Sequence, residues 1–187
     1  MSPGWWLLAP WVVFSLWWGV RLIANERVAE QESFGSRLVY MVPFCASVWL
    51  LCSTRPLGPL DFQMWPRTPL VEWLGFVVEC VGILFAIVAR ETLGKLWSGA
   101  VTLKEGHRII RQGPYALVRH PIYTGILTGF VGAMIAHGQL RALLSLFLAA
   151  ACFQRKIQLE ERLLVGHFGD EYRDYRRQVR ALIPFIL

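Results

Sequence analysis

The sequence predicts an all-α, polytopic membrane protein with about five transmembrane helices, and three observations predict it. First, of 187 residues 55% are hydrophobic and only 17% charged, which is too apolar for a soluble domain of this length. Second, the apolar residues fall in runs of about 14–20, the length that crosses a hydrocarbon core of roughly 30 Å. Third, Arg and Lys cluster in the segments between some runs and are sparse between others, as cytoplasmic and external loops require.

The first run, Trp5 to Ile23, carries Trp5, Trp6, Trp17 and Trp18 toward its ends, where interfacial anchors sit. It begins with almost no positive charge, so it reads as a span rather than a signal peptide. The second, Leu38 to Cys52, is shorter and is expected to be interrupted by Pro43. Pro56, Pro59, Pro66 and Pro69 then mark an irregular loop over 54–69. Leu70 to Ala89 is the third run. A polar, glycine-bearing stretch, Arg90 to His120, follows it. Pro121 to Ala136 and Leu140 to Phe153, split by "HGQ", predict a helical hairpin. The tail from Gln154 reads as two charged helices, over Lys156 to His167 and onward from Asp170. Gly169 ends the first and Asp170 caps the second. In the second, Tyr172, Tyr175 and Val179 make an apolar stripe.

Six Arg or Lys lie in 90–120, seven in 154–180 and three in 21–37, against two in 54–69 and one in 137–141. Positive-inside bias therefore sets the N-terminus outside and the C-terminus in the cytoplasm. The chain is read as one integral-membrane domain over 1–187, with three spans in 1–89 and a pocket-bearing half in 90–187. The net charge of +6 is assigned to loops facing anionic lipid rather than to nucleic acid, because the apolar runs decide the class. Cys45, Cys52, Cys80 and Cys152 lie in apolar runs without a C-x-x-C pair. They are expected to be buried small hydrophobes, and no metal site is expected.

Three polar clusters fall on the predicted cytoplasmic face: "ARETLGKLWSG" (89–99), "KEGHRIIRQGPYALVRHPIYTG" (104–125) and "RKIQLEERLLVGHFGDEYRDY" (155–175). Together they supply cations, aromatics, histidines and the adjacent carboxylates Glu160 and Glu161. A pocket lined this way suits a ligand with an aromatic ring, an amino-acid head group and a positive centre. From position alone, Arg119 and His120 have two readings, a headgroup anchor or a pocket wall. Tyr115 and Tyr123 are likewise interfacial belt residues or pocket residues. Glu160 is a ligand contact or half of an i,i+4 bridge to Lys156, and Glu161 is read as structural. Glu79, near the middle of the third run, is either a functional carboxyl or a protonated or hydrogen-bonded group inside the bundle. His137 reads as solvated and His167 as a surface group.

"GPYALVRHPIYTG", preceded by "GHRII" and followed by "EERLLVGHFGDEYRDY", resembles the isoprenylcysteine carboxyl methyltransferase family, over roughly Ala89 to Pro184. "ARETLGKLWS" resembles the family's bacterial members. The resemblance implies an integral-membrane enzyme that uses S-adenosylmethionine, releases S-adenosylhomocysteine, and holds the cofactor on the cytoplasmic side in its C-terminal half. It implies cofactor contacts from His107, Arg108, Ile109, Ile110, Tyr115, His120, Pro121, Ile122, Tyr123 and Glu160. It implies catalytic roles for Arg119, His120 and Tyr123, and a substrate contact from Lys156, where eukaryotic members carry arginine. Gln178 stands where those members have a further arginine, with Arg177 or Arg180 as possible substitutes. No G-x-G-x-x-G follows a strand, so a soluble-type methyltransferase site is not expected.

The resemblance implies methyl transfer to a carboxylate of a lipophilic, isoprenylcysteine-like substrate reached from the lipid bilayer. A lipid amine, a small thiol, or NADPH-dependent reduction as in related sterol reductases are the alternatives. The extra N-terminal spans of the family's eukaryotic members are not expected here, so the resemblance implies the cytoplasmic membrane of a prokaryote.

Overall fold

A computed structural model of the chain describes residues 5–23, 30–31, 34–97, 102–103 and 108–184. A 3-10 turn, Trp5–Leu8, leads into α1 (Ala9–Ile23). Then come α2 (Phe34–Cys52), α3 (Pro69–Leu93), the single turn α4 (Pro114–Leu117), α5 (Pro121–His137), α6 (Leu140–Phe168) and α7 (Asp170–Gln178). The two-residue strands β1 (Glu30–Gln31) and β2 (Thr102–Leu103) pair antiparallel. The architecture is thus helical, as the sequence predicts. Three helices, α2, α3 and α6, are long and apolar enough to cross a membrane by length and composition; α5 is a shorter apolar helix.

Local signals explain several helix ends. Pro69 opens α3 in its first turn, and the Thr68 hydroxyl accepts from the Val71 N–H. Pro121 opens α5, and Gly138, at φ 63°, closes it with an N–H to the Met134 carbonyl. Gly169, at φ 57°, closes α6.

Two expectations fail, both for the same reason. Pro43 lies inside α2 without breaking it. Likewise α6 does not stop at Phe153; it continues unbroken through the charged stretch to Phe168. A helix is propagated by its own backbone bonds, and neither a change in side-chain polarity nor one proline held by neighbours ends it. At about 1.5 Å per residue, about twenty residues cross a hydrocarbon core of roughly 30 Å, so the 29 residues of α6 exceed what a span needs.

The cysteine expectation also fails in part: Cys152 is buried and Cys80 half-buried, but Cys45 and Cys52 are exposed on the helix surface. His137 is half-buried rather than solvated.

The centre of the fold is the α3–α5 contact, where glycines bring two backbones together. A Cβ on Gly82 would stand 2.5 Å from the Gly125 carbonyl oxygen, and one on Gly125 would stand 2.5 Å from the Gly82 carbonyl oxygen. Gly75 and Gly132 repeat the arrangement one heptad away, with Ala86 and Ala136 filling the seam. Without a hydrophobic drive between helices in lipid, such close van der Waals contact is what holds them. The opposite face of α3 carries Leu74, Val77, Val81 and Leu84, all exposed. Apolar residues outside and small ones inside is the pattern of a helix solvated by lipid.

Two further ties close the bundle. The Ser145 hydroxyl donates to the Ser47 carbonyl at 2.6 Å, joining α6 to α2. At the end opposite the site, the loop after α2 seals the α5–α6 turn. There the Trp65 indole donates to the Ile135 carbonyl at 2.9 Å, and the Arg141 guanidinium donates to the Ser53 carbonyl at 2.7 Å.

Candidate active site

The site forms where α5 begins, because the chain before it is tied at both ends. The Arg119 and His120 N–H groups donate to the Arg180 and Ala181 carbonyls at 2.8 and 3.0 Å. The Thr124 hydroxyl donates to the Leu182 carbonyl at 2.8 Å. The segment after α7 thus runs beside residues 118–120 as a short parallel bridge. On the other side, the Tyr175 hydroxyl donates to the Tyr115 carbonyl at 2.6 Å, fixing α4 to α7. Residues far apart in sequence are held around one cleft between α4, the start of α5, the end of α6, and α7.

Its polar wall is an ion and hydrogen-bond network. Tyr123 donates its hydroxyl to Glu160 Oε1 at 2.5 Å. His120 places Nδ1 3.4 Å from Glu160 Oε2 and Nε2 3.3 Å from Glu161 Oε1. Arg119 donates to Glu161 Oε1 from Nε at 2.8 Å and Nη2 at 2.6 Å. Its Nη1 donates to the Val179 carbonyl. Arg176 Nε adds a contact to Glu161 Oε2 at 3.1 Å. The Tyr123 ring stacks on Phe153 at 4.7 Å and lies parallel to the His120 ring at 5.6 Å. The Lys156 ammonium stands 5.5 Å from the Tyr123 ring and 5.5 Å from the Tyr40 ring.

Burial would lower the His120 pKa, but hydrogen bonds accepted by the Glu160 and Glu161 carboxylates, and their charges, outweigh it and hold the imidazole above its ordinary value. Burial pushes the Tyr115 and Tyr172 phenols well up, and the Tyr175 phenol up to about 12. All three stay protonated near neutrality.

Most of the residues implied by the sequence meet at this cleft. Arg108, Ile109, Ile110, Tyr115, Arg119, His120, Ile122, Tyr123 and Glu160 all line it. Pro121 is buried behind them as the first residue of α5, and Lys156 stands against the Tyr123 ring. His107 lies outside the described residues. Gln178 ends α7 and is exposed.

Sequence reasoning assigned no site role to Leu93, Leu96, Trp97, Leu163, Leu164, Tyr172 and Tyr175, which also line the cleft. The tyrosine stripe of α7 and the "GKLW" segment were the available signals. Trp97 is fixed by Arg90, whose guanidinium lies 4.3 Å from its ring, and by Trp18 edge-on at 5.0 Å. Glu161, read from the sequence as structural, is the most connected acid of the network.

Chemically, the cleft offers a carboxylate beside aromatic faces, flanked by isoleucines, leucines and the Arg108 guanidinium. Such a donor set accommodates an amino-acid head group, a positive centre and a flat ring together. Among the described residues no cluster of three or more metal-ligating side chains occurs.

A model of the isoprenylcysteine carboxyl methyltransferase family matches residues 73–166, half of the chain. The chain is 34% identical, over 60% of its length and 48% of the relative's, to protein-S-isoprenylcysteine O-methyltransferase of Schizosaccharomyces pombe. It is 30% identical, over 73% of its length and 62% of the relative's, to the cobalt-zinc-cadmium resistance protein CzcN of Cupriavidus metallidurans. The chain spans about half the length of the curated relatives it matches. Among solved structures it is similar to a eukaryotic intramembrane Ras methyltransferase of the same family. That match has a TM-score of 0.58 and 24% identity, covering 81% of this chain and 51% of that one. At that identity the likeness is one of fold.

Proposed function

The chain belongs to the isoprenylcysteine carboxyl methyltransferase family, and from that premise we propose that it is a membrane-integral methyltransferase. Its donor is S-adenosylmethionine, its product S-adenosylhomocysteine, and its acceptor the carboxylate of a lipophilic, isoprenylcysteine-like compound. The observation that carries the reading is the meeting of the Glu160 carboxylate with Tyr115, His120 and Tyr123 at one cleft.

The donor set fits this cofactor. Glu160 would take the ammonium of the methionine moiety. The faces of Tyr115 and Tyr123 suit the sulfonium, and Arg108, Ile109 and Ile110 would border the nucleoside. Ile122 lines the cleft and Pro121 is buried behind it at the start of α5. Bound there, the cofactor supplies an electrophilic methyl group on sulfur. Lys156, held against Tyr123 and Tyr40, would neutralise an acceptor carboxylate, and Arg119 and His120 would fix the same polar wall through Glu160 and Glu161. Such a carboxylate is already ionised at neutral pH, so positioning and exclusion of water dominate the chemistry.

The reading includes five spans with the N-terminus outside and the C-terminus in the cytoplasm, and residence in the cytoplasmic membrane of a prokaryote. The apolar acceptor would enter laterally from the bilayer and the cofactor from the aqueous side. Calorimetric titration of the purified chain with S-adenosylmethionine, S-adenosylhomocysteine and NADPH tests it. Saturable binding of the two adenosyl ligands is expected. Silence with both, or binding of NADPH alone, overturns it.

A further inference from the structure

We propose that Glu161 is a positioning residue that keeps His120 as a doubly protonated imidazolium, clamped between two carboxylates and therefore unable to accept a proton from the methyl acceptor. A neutral imidazole carries one N–H and one bare lone pair. Both ring nitrogens of His120 face a carboxylate oxygen, Nδ1 toward Glu160 at 3.4 Å and Nε2 toward Glu161 at 3.3 Å. Whichever tautomer a neutral ring adopted, one lone pair would oppose an anionic oxygen. The ring is buried, at 7% exposure, so bulk water does not relieve that repulsion. Two N–H groups instead turn a proton toward each oxygen.

Each element packed against the ring contributes to the balance. Arg119 precedes it in the chain, and Tyr123 on α5 stacks beside it. Lys156, Glu160 and Glu161 come from α6, and Arg176 comes from α7. Glu161 holds two guanidinium groups as well as the imidazole. It is thereby fixed in place, and it fixes the ring plane that points Nδ1 at Glu160. Glu160 in turn has one oxygen on Tyr123 and the other on His120, so its direction into the cleft is set through Glu161.

The consequence for the acceptor rests on the methyl-donor reading above. A site whose histidine is already protonated serves an acceptor that arrives ionised, a carboxylate. It does not serve a thiol or ammonium, which must first lose a proton.

The test is nitrogen NMR of the full chain in nanodiscs with 15N-labelled histidine, the His120 signals being assigned by their loss in His120→Asn. Both His120 ring nitrogens should show protonated-type shifts at pH 7.5, and the ring should titrate above its ordinary value. One deprotonated nitrogen at pH 7.5 overturns the inference. Glu161→Gln should lower the midpoint by about one pH unit or more, a nearby carboxylate being worth that much. Glu161→Asp, which keeps the charge and the pairing with Arg119 and Arg176, should retain most of it. Equal midpoints in wild type and Glu161→Gln overturn the role of Glu161, and the wild-type spectrum alone decides the protonation state. Titrating the same sample with S-adenosylhomocysteine separates the two readings. An imidazolium without ligand binding sinks the methyl-donor reading and leaves this inference standing. Binding beside a neutral His120 does the reverse.

Discussion

The Tyr123 hydroxyl donates to Oε1 of Glu160 at 2.5 Å, across 37 residues of sequence. This bond ties the first turn of α5 to the last third of α6 at the wall of the cleft. Removing the donor leaves a largely buried carboxylate oxygen unpaired, which costs about 1–3 kcal/mol. Tyr123→Phe should therefore weaken S-adenosylhomocysteine binding by about tenfold in calorimetry, with the helical circular dichroism unchanged. Glu160→Gln should weaken it more, because the negative charge itself is lost. Wild-type affinity in both variants would remove Glu160 from the binding site.

The α3–α5 seam predicts opposite outcomes for two glycine substitutions. A Cβ at Gly82 meets backbone atoms of Gly125 and Gly129 at 2.5 Å, and backbone does not step aside. Gly82→Ala should destabilise by about 1–3 kcal/mol, the usual cost of overpacking. Gly166 lies in α6 with nothing within 4 Å of its Cβ position. Gly166→Ala should instead stabilise by about 0.5–1 kcal/mol through helix propensity. Thermal unfolding followed by tryptophan fluorescence in detergent reads both. A neutral Gly82→Ala would mean that the two helices do not touch as described.

Glu79 is fully buried, and neither carboxylate oxygen has a hydrogen-bond partner among the described residues. An unpartnered buried polar group costs stability that an apolar side chain of similar size does not. Glu79→Met should thus leave the midpoint of thermal unfolding unchanged or raise it, with cofactor binding intact. Lost binding in a variant that unfolds at the wild-type temperature would give Glu79 a functional role instead.

His120 links stability to pH with a defined sign. Its folded pKa lies above its unfolded value. The stabilisation is therefore complete below the unfolded pKa of about 6.5 and is lost as pH rises through the folded pKa. The difference in unfolding temperature between wild type and His120→Asn should be largest at pH 6 and shrink under alkaline conditions. A difference that grows with pH would mean that the ring is neutral in the folded protein.

Much of the fold was legible because its signals are local. Pro121 opens α5, Gly138 and Gly169 end helices by their left-handed backbone, and the spacing of apolar runs follows the thickness of a bilayer. The misreadings at Pro43 and at Phe153 arose where a local signal for stopping was overruled by neighbours that keep the helix intact.

The motif residues from Arg108 to Tyr123, with Glu160, were legible as a group, because their residue types and spacing carry a family likeness. What the sequence by itself determined is the set of apolar helices, their order, and which polar segments gather at one end. The tertiary structure alone decided which polar groups face each other. Glu160 and Glu161 are adjacent and chemically alike, and nothing local separates their roles. Only the crossing of α5 and α6 sets them on either side of His120, and only the return of residues 180–182 beside the start of α5 turns Arg119 onto Glu161. Contacts across 37 to 60 residues depend on how close two helices can approach. Here the glycine seam fixes α5 against α3, and the Tyr175–Tyr115 bond fixes α7 against α4, and neither is written in the site residues themselves.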